Sequence, residues 1–159
     1  MTSDELEQLR RDVQYLKDRT AILDVVNRHA RGCDRHDVEL LTSTYHDDGF
    51  DEHGAIRSEG PKFAAFINGV HAATSRAHTH NITTHTCDID GDTAHAESYV
   101  LVSLLAPDAA STSVMSGRYL DRLERRDGTW RPRLRALDAA ARESVGWEPG
   151  FARGRDGHE

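Results

Sequence analysis

His80-Asn81-Ile82-Thr83-Thr84-His85-Thr86-Cys87-Asp88-Ile89-Asp90-Gly91-Asp92-Thr93-Ala94 is the stretch whose reading decides the fold. Up to Ile89 it is rich in threonine and β-branched residues, which suit a pleated strand. Asp90-Gly91-Asp92 then reads as a hairpin turn. Thr93 to Leu105 continues as a long strand with Tyr99, Val100, Leu101 and Val102 at its centre. The rest follows as an antiparallel meander. Pro107 to Thr112 is a loop, Val114 to Arg125 a third strand, Asp127-Gly128 a turn, and Thr129 to Leu137 a fourth strand.

Upstream the periodicity is helical. Ser3 is a candidate N-cap, and Leu6, Leu9, Val13 and Leu16 recur at helical spacing. That stripe suits packing against the sheet or against a neighbouring molecule. Asp18-Arg19-Thr20 predicts a bend or a cap. Ile22, Leu23, Val25, Val26 and Ala30 carry a second helix to Gly32, a helix stop. Asp37 to Tyr45 is a third, ending in the turn His46-Asp47-Asp48-Gly49. Phe50 to Ile56 reads as a short strand or loop. Gly60-Pro61 opens a helix whose apolar face is Phe63, Phe66, Ile67 and Val70. Helices first and a meander after them predict an α+β fold. The expected form is a cone-shaped barrel: a curved, mostly antiparallel sheet with the N-terminal helices packed on its concave side and a pocket between. A single domain is expected over residues 1–145, with a C-terminal tail over 146–159.

The chain has 159 residues, 37% hydrophobic and 30% charged, which fits one globular domain with room for a core and a small-molecule cavity. A formal charge of -7 argues against nucleic acid, which needs a basic surface. No apolar run approaches the ~18 residues needed to span a bilayer, so no membrane partner is expected. Met1-Thr2-Ser3-Asp4-Glu5 lacks the basic and apolar regions of a signal peptide, so a cytoplasmic location is expected. Cys33 and Cys87 have no zinc-site spacing and read as buried free thiols.

The chemistry concentrates in Gly32-Cys33-Asp34-Arg35-His36-Asp37 and His78-Thr79-His80-Asn81-Ile82-Thr83. His78 and His80, two apart on a strand, share a face, while Asn81, Thr83 and His85 take the other. A carboxylate such as Asp34 would fix the tautomer of His80 and support the cation it forms as a general base. The competing reading makes Asp34 a helix-end residue and His80 an edge-strand surface group. Asp47, Asp48, Asp51 and His53, with His78 and His80, offer oxygen and nitrogen donors for a metal, the set Asp51, His53 and His78 above all. Their spacing is loose, and a solvated turn explains them as well. Trp130-Arg131-Pro132-Arg133-Leu134-Arg135-Ala136-Leu137 alternates so that its arginines share one face. They form a wet outer face over packed Trp130, Leu134 and Ala136, or one of them reaches inward to hold a departing group. Tyr45, Tyr99 and Tyr119 are candidate hydrogen-bond donors. Phe50, Phe63, Phe66, Val102 and Met115 are candidates for the apolar wall.

Several segments, in order, resemble the SnoaL-like family of the nuclear transport factor 2-like superfamily. They are Ala21 to Asp37, Gly60-Pro61-Lys62-Phe63-Ala64-Ala65-Phe66, His80 to Thr84, Asp88 to Ala94 and Gly117 to Trp130. The resemblance covers about residues 10 to 140. It implies the cone fold and an Asp–His base of the kind used by the family's cofactor-free lyases, dehydratases and a dehydrochlorinase among them. Asp34 falls on that aspartate, His80 on that histidine, and Arg135 on an arginine that assists the leaving group. Tyr45 and Tyr119 are the tyrosines left to polarise substrate, since His29 stands where a relative has a tyrosine. The implied function is a cofactor-independent lyase, a dehydratase or dehydrohalogenase acting on a small cyclic or polyketide-like substrate, with no metal. Alternatives are an isomerase or cyclase using the same base, or a non-catalytic ligand-binding or assembly domain. Self-association as a trimer or dimer is also implied.

Overall fold

The computed structural model describes residues 1–54 and 56–146, with backbone alone for 139–146. The chain forms α1 (Ser3–Asp34), α2 (Val38–Thr42), β1 (Phe50–His53), β2 (Ile56–Glu59), α3 (Gly60–Thr74), β3 (Ala77–Asp90), β4 (Thr93–Leu105), β5 (Ser111–Arg126) and β6 (Thr129–Gly146). The strands make one sheet in the order β2-β1-β6-β5-β4-β3. Neighbours run antiparallel except β1, which lies parallel to β6. The sheet stays open at β2 and β3, and the fold is α+β as expected. Both hairpins fall where the sequence puts them. Asp127 and Gly128 take φ of 50° and 75° between Arg126 and Thr129, the positive-φ pair that matches the twist of a two-residue hairpin. The expected tail lies, apart from Gly146, outside the described residues.

Helix α1 is continuous, where the sequence suggests two helices. Its cap is Thr2, not Ser3: Thr2 Oγ accepts the Glu5 N–H and the Glu5 carboxylate accepts the Thr2 N–H. Asp18 does not break the helix because its carboxylate turns toward the sheet. It accepts Trp130 Nε1–H at 2.9 Å and Arg125 Nη1 at 2.8 Å. The C-terminal half buries Ile22, Val25, Val26 and Ala30. Leu9, Val13, Tyr15 and Leu16 remain exposed, so the N-terminal half of the stripe does not pack on this chain's own sheet. Among the described residues no helix is long and apolar enough to cross a membrane.

Two of the sheet's register shifts decide which site side chains face the helices. In β3 the pairing shifts between Ile82 and His85. His78, His80 and Ile82 face inward, and after the shift so do His85 and Cys87. His85 lies 2.8 Å from the buried Ser98 Oγ, and Cys87 joins Ile22, Val25 and Trp130 in the core. Placing His85 opposite His80 is therefore corrected: an extra residue in one strand inverts the alternation beyond it. In β6, Arg122 pairs with Leu134 and Leu123 with Pro132, which leaves Arg133 unpaired. Trp130 and Pro132 are buried before this bulge, and Arg135 is buried after it. Leu134 and Ala136 instead line an outer groove with His95 and Arg122. An unbroken strand would have placed Arg135 with the outward arginines.

The first residue of α3 is Gly60, whose backbone rests on the Tyr45 ring, where an added Cβ would overlap the ring carbons. Tyr45 is 1% exposed, so the ring has no room to retreat. Gly60→Ala should lower unfolding stability by about 1–3 kcal/mol, the usual cost of overpacking, read from the denaturant midpoint at unchanged m-value.

Candidate functional site

The end of α1 meets the start of β3 through one carboxylate. Asp34 is the last residue of α1. Both its oxygens accept the His80 backbone N–H, at 3.0 and 2.9 Å, and Oδ1 accepts His80 Nδ1–H at 2.6 Å. The carboxylate oxygen accepts, so Nδ1 carries a proton and Nε2 is the ring nitrogen outside this bond. The His80 side chain is 6% exposed and that of Asp34 22%. One residue back, Cys33 presents its carbonyl to His78 Nε2–H at 2.8 Å. Two inward histidines, two residues apart, thus grip the same helix terminus.

His80 lines a small, partly enclosed cavity of about 80 Å³ between sheet and helices. Its apolar wall is Phe63 and Ile67 of α3, Val102 of β4, Met115 of β5 and Leu137 of β6; its polar wall is His29, His53, His71, His80 and Tyr119, with Cys33. His53 is a second carboxylate-held imidazole. Asp51, wholly buried, accepts His53 Nδ1–H at 2.5 Å and the Tyr45 hydroxyl at 2.5 Å. Tyr45 in turn lies 3.2 Å from His29 Nδ1.

Burial sets the charge of the other wall groups. His29 titrates well below the ordinary imidazole range, first because it is buried and then because Arg135 is near. His71 is pushed down to about 3 by burial and by the neighbouring histidines. Burial pushes the Cys33 thiol up to about 12 and raises Tyr45 and Tyr119 well above the phenol range. At neutral pH these groups are uncharged hydrogen-bonding surface.

Phe63, Val102, Met115 and Tyr119 stand on the cavity wall. Phe66, Phe50, Tyr45, Arg135 and Tyr99 do not. Phe66 is 46% exposed, since α3 turns its next apolar position outward. Phe50 is half-buried under the guanidinium groups of Arg57 and Arg133. Tyr45 stands behind the wall, holding Asp51. Arg135 turns inward, but its Nε and Nη2 grip Asp121 at 2.7 and 2.6 Å, and its guanidinium lies 4.8 Å from the Tyr119 ring centroid. Burial opposes its charge, yet the Asp121 carboxylate prevails and holds it protonated. It buttresses Tyr119 rather than reaching the cavity. Tyr99 is exposed. The metal set Asp51, His53 and His78 is not assembled, because Asp51 and His53 hold each other while His78 holds Cys33. Donor atoms of Asp34, His78 and His80 do lie within 4.8 Å of one another. Their hydrogen bonds already occupy His78 Nε2, His80 Nδ1 and both Asp34 oxygens.

Sequence reasoning passed over His29 and His71 as wall residues. His71 follows Phe63 and Ile67 at helical spacing, on the apolar face of α3, and that position was the available signal. His29 precedes Cys33 by one turn.

An open sheet curled around helices, with the cavity between them, defines the class: a nuclear transport factor 2-like α+β cone. The family model described as a SnoaL-like domain matches residues 14–136, and the chain belongs to that family. Among solved structures it resembles a type 2 hexachlorocyclohexane dehydrochlorinase, 22% identical with a TM-score of 0.79 over 87% of this chain and 99% of that one. The type 3 hexachlorocyclohexane dehydrochlorinase from Novosphingobium barchaimii LL02 is 21% identical, with a TM-score of 0.78 over 86% of this chain and 96% of that one. A putative scytalone dehydratase from Novosphingobium aromaticivorans DSM 12444 is 18% identical, with a TM-score of 0.74 over 84% and 91%. These likenesses concern the fold. No curated protein matches the sequence.

His71 and His29 stay neutral in the folded chain at pH values where the unfolded chain protonates them near ~6.5. The unfolded state therefore binds more protons below that value, and acidification favours it. The unfolding midpoint should fall as pH is lowered from 7 toward 4, and His71→Gln should make that fall shallower. Equal slopes for the two proteins would contradict the assignment.

Proposed function

We propose that the protein is a cofactor-independent lyase acting on a small, largely apolar cyclic or polyketide-like compound. His80 Nε2 removes a proton from carbon, Asp34 stabilises the imidazolium that forms, and a β-substituent departs with the electron pair of the broken bond. The observation that carries this reading is the Asp34–His80 contact at 2.6 Å, with His80 on the wall of a partly enclosed cavity. A ligand-binding domain has no need of an imidazole oriented in this way. The reading is also supported by the resemblance to structures titled dehydrochlorinase and putative scytalone dehydratase.

The cavity wall limits the substrate. A volume of about 80 Å³ holds only a few non-hydrogen atoms, well under the ~300–1,000 Å³ of ordinary ligand pockets. A ring must therefore push part of the wall aside. Met115 is the wall residue suited to yield, being unbranched and flexible. The same base could serve isomerisation or cyclisation. Release of water or halide distinguishes elimination from these.

Hydroxylated and halogenated ring compounds should be screened with wild type, His80→Ala and Asp34→Asn. Both variants should keep the wild-type melting temperature within a few degrees and lose about 10²- to 10⁴-fold in kcat/KM, the range for a general base. Asp34→Asn can keep an acceptor for the backbone N–H but removes the charge behind the ring. Undiminished turnover in either variant would remove the mechanism.

A further inference from the structure

The cavity presents two imidazoles, each anchored at Nδ1 by a carboxylate, whereas proton abstraction needs one. His53 and Asp51 alternate with Glu52 along β1, so both side chains leave the strand on the side facing the helices. Asp51 occupies the His53 Nδ1 proton at 2.5 Å, which leaves Nε2 as the ring nitrogen free to meet a substrate. The His53 ring packs on Phe63, with centroids 4.7 Å apart, and stands 6.3 Å from that of Tyr119. Packing of this kind fixes where Nε2 points.

The two pairs differ in surroundings. Asp34 keeps 22% of its side chain exposed and also accepts a backbone N–H. Asp51 is 0% exposed, and its partners are the Tyr45 hydroxyl and His53. A buried carboxylate with no solvent contact is balanced by a cationic partner. Tyr45 stays protonated, and the adjacent His29 is held neutral by burial. Arg135, the register partner of Asp51 on β6, is the buried cation of the adjoining strand, and His53 is the imidazole that Asp51 holds directly. The two rings line one cavity from different strands, each held at Nδ1 by its own carboxylate, so one ring can take a proton while the other gives one.

We propose that His53, held by Asp51, is a second catalytic residue of this cavity: the general acid that protonates a departing hydroxyl. This rests on the lyase reading above and narrows its substrate to compounds with a hydroxyl β to an acidic C–H bond. The step balances. The C–H electron pair becomes the new π bond, and its proton goes to His80 Nε2. The C–O pair leaves with oxygen, which takes the proton from His53 Nε2 and departs as water. Proton exchange with solvent then restores both rings. A halide leaves without a proton and gains little from such an acid, so the arrangement fits dehydration better than dehydrohalogenation.

The test compares paired substrates differing only in the leaving group, hydroxyl or chloride, on wild type, His53→Gln and His80→Ala. His53→Gln should lose about 100-fold or more in kcat/KM on the hydroxyl compound, in the range of general-acid catalysis, and less than tenfold on the chloride. The alkaline fall of the wild-type pH–rate profile on the hydroxyl compound should disappear in the variant. Equal losses on both substrates, or none on either, overturn the proposal while leaving His80 as base. His80→Ala should lose activity on both substrates; if it does not, the lyase reading itself fails. Should His53→Gln not fold, wild type alone decides over a series of oxygen leaving groups of graded basicity. A shallow dependence of rate on basicity supports the acid, and a steep one overturns it. If wild type turns over none of these compounds, both readings fall.

Discussion

A single carboxylate at the end of a 32-residue helix holds the two halves of this protein in register. Asp34 bonds both the backbone and the ring of His80, so the helical half cannot shift along β3 without leaving a partly buried charge unpaired. That penalty is steep where solvent is scarce. The neighbouring bond from His78 adds a second donor to the Cys33 carbonyl, which also accepts the His36 N–H at 3.2 Å. The two contacts make the same junction serve as structural tie and as the anchor of the proposed base.

The opposite end of the cone is held by a comparable device. Asp18, midway along α1, receives Trp130 and Arg125 from the closing hairpin. Arg125 also bonds Asp92 in the β3–β4 turn. The helix is thereby pinned near both ends of its buried half, and the cavity lies where the pinned helix and the curved sheet diverge. Arg135 and Asp121 form a third buried pair, under Tyr119. Its two members neutralise each other, so it supports one wall of the cavity without placing a free charge in it.

Much of this was legible in the residues. The Asp90-Gly91-Asp92 and Asp127-Gly128 turns needed only local backbone preferences. The α+β order followed from the change of period near Arg76. The Asp34–His80 contact was reached through resemblance, because spacing along a chain cannot reveal a contact between residues 46 apart. The failures have specific causes. Asp18-Arg19-Thr20 resembled a helix break because local propensity cannot see the tryptophan and arginine that hold Asp18 from the sheet. Asp51 and His53 resembled metal donors because donor type alone does not distinguish a carboxylate that orients a ring from one that binds a cation.

By itself, the sequence determined the alternation of turns and strands, the helical first half, and the residue types able to move a proton. These depend on interactions within a few neighbours. Only the tertiary structure decided which face each strand residue takes beyond a bulge. The extra residue near Arg133 sends Arg135 inward onto Asp121, and the shift after Ile82 returns His85 to the side of His80. A bulge inverts alternation at a distance, and pairing with another strand fixes where it falls. The tertiary structure likewise made Asp51 a buried partner of His53, since burial comes from chain segments packed around a residue and not from the residue itself.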